Sequence, residues 1–195
     1  MVLPTDTVYG LGANAFNADA VASLLAAKGR GRQSPPPVLI PNIRTVEGLG
    51  RDVPAAARAL MEKLWPGALT VIVHAHLSLA WDLGDTQGTV ALRMPDHAAA
   101  LALLGRTGPL AVSSANLTGA PAATNARDAE RQLGESVRVY LDGGDAPGGT
   151  ASTIVDATDP AGLRVVREGA IATARLIAIA GEGAFAIDVD EGEAE

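Results

Sequence analysis

The 195-residue chain has no cysteine. That excludes disulfides, thiolate metal sites and a cysteine nucleophile, and it fits a reducing cytoplasm. Aromatic residues are scarce, two each of Trp, Tyr and Phe, too few for a surface that stacks nucleic-acid bases on successive rings. No uninterrupted apolar run reaches about 18 residues, so no membrane span is expected. The start, MVLPTDTVYG, lacks a basic n-region and a long apolar core and does not read as a signal peptide. Neither a Walker A motif nor a dinucleotide fingerprint occurs. Ser113 and Ser114 lie outside any G-x-S-x-G context, which argues against a serine hydrolase. Lysine is nearly missing: Lys28 and Lys63 stand against 13 arginines. Where a bare charge suffices, such a bias replaces Lys by Arg, so a persisting lysine points to a need for a compact ammonium. That favours Lys28, although Lys63, in mid-helix, persists without an evident role.

What is present is ordinary globular protein: 48% apolar and 19% charged residues, enough for one sizeable core and one domain. The net charge of −7 is unevenly spread. Residues 181–195 hold six acids and no base, and residues 1–180 together carry only −1. The expected organisation is a body over residues 1–180 followed by a solvated, disordered acidic tail over 181–195. A near-neutral body is not the basic face of a nucleic-acid binder.

Strands and helices alternate along the body. Met1–Leu3, Val38–Ile40, Leu69–His74, Thr89–Arg93, Leu110–Ser113, Val137–Leu141, Thr153–Val155 and Arg164–Arg167 read as strands. Helices are expected over Ala18–Lys28, Pro54–Trp65, His97–Leu104, Ala126–Leu133 and Thr173–Ala180. This alternation argues for a layered α/β architecture.

Two segments invite a chemical reading. LPTDTVYGLGANAF, residues 3–16, is a loop of small hydroxyls, one carboxylate and glycines. From local chemistry alone, a Ser/Thr or Asx turn between strand and helix is its stronger reading. KGRGR, residues 28–32, packs three cations into five residues separated by glycines. One cation after a helix would merely suit the helix dipole, but three suggest an anion site. In LAVSSANLTG, residues 110–119, an apolar strand runs into hydroxyls and an amide, either an anion-binding nest or a capped turn. In TVALRMP, residues 89–95, alternation puts Thr89, Ala91 and Arg93 on one face. An arginine there needs a salt bridge or a carboxylate ligand, and the two stand level. Ser152 and Arg167 share that ambiguity. His74 and His76 share a strand face, but without a third ligand nearby two solvated edge histidines are the better reading.

Together, LPTDTVYGLGANAF, AAKGRGRQSPPPVLI, LWPGALTVIV, TVALRMPDH, AVSSANLTG, YLDGG, GGTASTIVD and VVREGAI resemble, in order, the YrdC-type threonylcarbamoyl-AMP synthase family in its short bacterial form. They span nearly all of residues 3–171. The resemblance implies a three-layer, twisted mixed β-sheet with helices on both sides and a positive cavity. It implies the reaction of L-threonine, bicarbonate (or CO2) and ATP to threonylcarbamoyl-AMP and pyrophosphate, with Mg²⁺ accompanying ATP and no organic cofactor. The product would feed other proteins that transfer the group to tRNA, and direct tRNA binding would be weak or absent.

Carried over by motif, Lys28 and Arg30 would meet the triphosphate as the catalytic cations. Thr7, Arg93 and Ser152 would hold threonine. Ser34, Thr89, Ser114, Asn116 and Arg167 would line the nucleotide side. No protein-ligated metal is implied. Ser34 replaces a Lys or Asn of some members, and Leu39 a histidine of archaeal ones. The family carries a helix and most of a strand before PTDT, whereas Met1 stands three residues before Pro4. Lower stability than a longer form is the expectation, and a further C-terminal domain is not expected. Two rivals remain: an RNA-binding or ribosome-associated module of the same fold, against which the near-neutral body argues, and a paralogue with another carbamoyl acceptor.

Overall fold

The computed structural model describes residues 1–147 and 149–186. The strands are β1 (Val2–Leu3), β2 (Gly10–Asn14), β3 (Val38–Leu39), β4 (Gly50–Arg51), β5 (Leu69–Ala75), β6 (Thr89–Arg93), β7 (Leu110–Ser114), β8 (Thr153–Asp156) and β9 (Arg164–Arg167). The helices are α1 (Ala18–Ala27), α2 (Val46–Leu49), α3 (Ala55–Leu64), α4 (Ala98–Thr107), α5 (Ala126–Leu133) and α6 (Thr173–Ala180). Among these helices none is long and apolar enough to cross a membrane.

The strands form one mixed sheet in the order β1-β2-β7-β3-β6-β5-β8-β9, with β4 paired to β5. The pairs β3–β6 and β5–β8 are parallel and the others antiparallel. Alternation assigns the faces. On one, Ala111, Val90, Leu92, Val71 and Val155 join the core beneath α2, α3 and α6, while Leu11 packs with α1 and α5. On the other, Leu39, Leu110 and Val112 pack against Ala100 and Leu104 of α4. Helices therefore cover both sides. Because α4 covers only part of its face, the rest is left as a hollow.

Local chemistry explains most boundaries. Asn17 and Asn125 cap α1 and α5 by accepting from Ala20 N and Asp128 N. Thr89–Arg93 forms as the alternation of Val90 and Leu92 requires. Two expectations about strands fail. Gly10–Asn14, read as loop, is a full strand against β7. Val137–Leu141, read as a strand, makes one isolated bridge, Tyr140 to Val2, flanked by Val2 N→Val139 O at 2.7 Å and Leu141 N→Val2 O at 3.0 Å. Its would-be partner β1 stops at Pro4, which has no N–H to extend a ladder. Residues 181–186 continue the body: Glu182–Ala184 form a 3-10 turn, and Phe185 bridges Leu163. The rest of the expected acidic tail, 187–195, lies outside the described residues.

Candidate active site

The hollow beside α4 is a cavity of about 370 Å³. Its floor is the sheet face carrying Gly10, Val112, Ser114, Leu39, Ala91, Thr70 and Ile154, and its polar rim includes Thr5 and Thr7. Three arginines line it, Arg30, Arg93 and Arg167, and no carboxylate does among the described residues. A concave site with that charge selects anions.

Arg93 projects from β6 and is nearly buried. Its Nη2 donates to Asp6 Oδ1 at 2.6 Å, its Nη1 to Thr7 Oγ1 at 2.9 Å and its Nε to Gly67 O at 3.0 Å. The choice left open by the sequence is thus settled for three of its five N–H groups. The partner is Asp6 of the PTDT segment, and two N–H groups remain for a ligand. Burial, ahead of the pull of Asp6, lowers the affinity of Arg93 for its proton, and Arg167 lowers it further. The PTDT segment is indeed a Ser/Thr turn: Thr5 Oγ1 donates to Val8 O at 2.7 Å and accepts from Thr7 N at 3.2 Å. It is at the same time a wall of the cavity. Tyr9 pins it from behind, accepting from Gly143 N and donating to Gly144 O.

Arg30 reaches the cavity from the loop after α1, held by Ser113 Oγ at 3.2 Å and Thr118 Oγ1 at 3.3 Å. Lys28, two residues earlier, does not line it. Only 1% exposed, its ammonium donates to the Ser114 carbonyl, to Asn116 O at 2.7 Å and to Asn116 Oδ1 at 3.2 Å. All three donors are consumed. Burial and then the neighbouring charge of Arg30 push its pKa down to about 8. Asn116 is equally engaged, its amide donating to Leu117 O and Ala120 O. Lys28 and Asn116 thus form a clamp behind the wall instead of facing the cavity, because Gly29, at φ 64°, turns the chain between Lys28 and Arg30.

On the far side, Arg167 donates to Ser152 O at 2.7 Å, and Ser152 Oγ pairs with Thr70 Oγ1 at 2.8 Å. The structure therefore brings Thr7, Arg30, Thr89, Arg93, Ser114, Ser152 and Arg167 to one cavity and leaves Lys28, Ser34 and Asn116 off its lining. Sequence reasoning passed over Thr70, Leu83 and Thr86, which also line it. A signal existed for Thr70, a hydroxyl in the otherwise apolar run Leu69–Val73. His74 and His76 join no cluster of three or more metal-ligating side chains among the described residues.

Residues 1–169 match the family model for the Sua5, YciO and YrdC proteins, described as telomere recombination. The chain belongs to this family. A Mycobacterium leprae relative, provisionally named a threonylcarbamoyl-AMP synthase, is 52% identical over 181 residues, covering 93% of this chain and 82% of that protein. The Bacillus subtilis threonylcarbamoyl-AMP synthase is 40% identical, covering 98% of this chain and 55% of its own. The structure of Pyrococcus abyssi Sua5 complexed with L-threonine aligns with a TM-score of 0.89 at 31% identity, over 100% of this chain and 57% of that one. This chain thus spans about half the length of those last two proteins.

Proposed function

We propose that this protein makes threonylcarbamoyl-AMP from L-threonine, bicarbonate or CO2, and ATP, with release of pyrophosphate. The observation that carries the reading is a cavity lined by three arginines and, among the described residues, no carboxylate. The two species that react at phosphorus, threonine carbamate and ATP, are anions, and the task is to hold them together and neutralise their charge. The names of the family relatives and the threonine bound to Pyrococcus abyssi Sua5 support the same reading.

In this reading the threonine amine attacks CO2, supplied as such or from bicarbonate by loss of hydroxide, and gives up a proton to become a carbamate. A carbamate oxygen attacks the α-phosphorus of ATP, and the bond to the β-phosphate oxygen breaks, so pyrophosphate leaves with that electron pair. The two spare N–H groups of Arg93 hold the threonine carboxylate, flanked by Thr7 and Ser152. Arg30 meets the triphosphate, and Arg167, Thr89 and Ser114 line the nucleotide side. Lys28, with Asn116, acts from behind by fixing the Ser114 strand end, and Ser34 supports the loop that carries Arg30. Mg²⁺ enters with ATP, taking oxygen ligands from the phosphates. No covalent enzyme intermediate is needed. Proteins that transfer threonylcarbamoyl to tRNA consume the product in the cytoplasm, and a near-neutral body leaves direct tRNA contact to them.

The test is pyrophosphate release with ATP, bicarbonate and L-threonine. Release should require L-threonine and fall when bicarbonate is depleted. Release that ignores threonine overturns the reading.

A further inference from the structure

Of the three cations in KGRGR, Lys28 is buried and Arg30 lines the cavity, which leaves Arg32 without a role. Arg32 points away from the cavity to the loop between β5 and β6. Its Nη1 and Nη2 grip Asp82 Oδ2 and Oδ1 at 2.8 and 2.9 Å, and its Nε lies 3.3 Å from Asp85 Oδ1. The backbones lock as well, with Asp85 N donating to Arg32 O at 2.8 Å. They meet at Gly84, whose φ is 102°, and a Cβ there would sit 2.6 Å from Arg32 O. The same loop is fastened a second time: Trp81 stacks on Phe16, just before α1, with ring centroids 5.5 Å apart.

The inner side of this loop matters to the site. Leu83, 2% exposed, and Thr86 line the cavity, and Thr86 O accepts from Thr89 N and Thr89 Oγ1 at 3.0 and 2.7 Å. One strap thus carries a cavity wall, while the loop it is tied to carries Arg30. An exposed ion pair contributes little to stability, but a two-pronged guanidinium–carboxylate contact fixes orientation.

We propose that Arg32 is a positioning residue. Through Asp82 and Asp85 it holds the Leu83–Thr86 wall at a set distance from Arg30, so that the nucleotide enters a cavity already spaced for its triphosphate. This rests on the reading of the cavity as an ATP site.

The test is calorimetric titration of Mg-ATP and, separately, of L-threonine, into wild type, Arg32→Ala, Asp82→Ala and the double variant. It needs no turnover, so it reads independently of the pyrophosphate assay. Arg32→Ala should weaken ATP about tenfold, the middle of the range for directly bonded pairs, and leave threonine affinity unchanged. Asp82→Ala is decisive because its two explanations have opposite signs. If charge alone mattered, removing an acid near the site would tighten ATP. Positioning requires that it weaken ATP, roughly threefold since Asp85 remains, and that the double variant bind no worse than Arg32→Ala. Tighter or unchanged ATP binding by Asp82→Ala, losses that multiply in the double variant, or equal losses for threonine would each overturn the proposal.

Discussion

Replacing Lys28 by Met separates a clamp from a phosphate contact by the sign of its effect on the empty protein. The substitution keeps the apolar stem and deletes the ammonium, leaving Asn116 O and Asn116 Oδ1 without their donor and Ser114 O with only Asn116 N, at 3.0 Å. Three hydrogen bonds from a charged donor are together worth about 5 kcal/mol. Against this, removing the ammonium relieves the burial that moves its pKa from 10.5 to about 8, a return of about 3 kcal/mol. The net is a loss of about 2 kcal/mol. For a chain of this size that lowers Tm by roughly 4–8 °C. A lysine whose ammonium merely faced the cavity beside Arg30 would behave oppositely, since deleting it would relieve repulsion and raise Tm. Thermal unfolding followed by circular dichroism, without nucleotide, decides the matter. A Tm unchanged or raised in Lys28→Met refutes the clamp.

Other outcomes follow from the same geometry. Between pH 8 and 10.5 the unfolded chain keeps the Lys28 proton that the folded chain has released, so the contribution of Lys28 to stability grows as pH rises through that window. The stability gap between wild type and Lys28→Met should widen by about 2 kcal/mol from about pH 7.5 to about pH 9.5, and a constant gap in denaturant titrations counts against the shift. Arg30→Ala, at the cavity itself, should cost about 10²-fold in kcat/KM for pyrophosphate release, and a loss of only a few-fold would remove it from the phosphate site. Asp6→Asn takes away the charge that orients Arg93, a nearly buried pair. It should cost about 3 kcal/mol in urea unfolding and weaken threonine more than ATP, whereas an equal effect on both ligands contradicts the assigned halves of the site. Gly10→Ala places a Cβ 2.5 Å from Val112 Cγ1 and should destabilise by about 1–3 kcal/mol. Val112→Ala in the same chain should restore most of that, and no rescue would mean that the clash is not the cause.

Legibility in the sequence tracks how local the cause is. The strand Thr89–Arg93 and the helix Ala126–Leu133 are readable because alternation lies within the one and an Asn cap directly precedes the other. β2 is not, since GLGAN has little intrinsic strand preference, and its ladder is supplied by Leu110–Ser114, about 100 residues away. The site divides in the same way. That Arg93 needs a partner follows from an arginine in an apolar strand, whereas Asp6 as that partner follows only from the fold. KGRGR suggests an anion site but not which of its cations reaches the cavity. Three charges two residues apart take three fates, one buried, one in the cavity and one in the strap, because the turn at Gly29 and the acids at 82 and 85 separate them.

The borders of the sheet also bear on how the molecule behaves in a crowd. An open row of strand N–H and C=O groups is a template for another chain, and proteins that leave one exposed tend to aggregate. Here β1 is two residues long, halts at Pro4 and is flanked by residues 139–141. At the opposite border the start of β9 is capped by Leu163 N→Ala184 O and Ala186 N→Leu163 O at 2.8 and 2.9 Å. Arg164 and Arg167 then bracket its two valines with charge. Among the described residues neither border offers a flat apolar run to a second copy, so this sheet can stay self-contained at high concentration without being closed into a barrel.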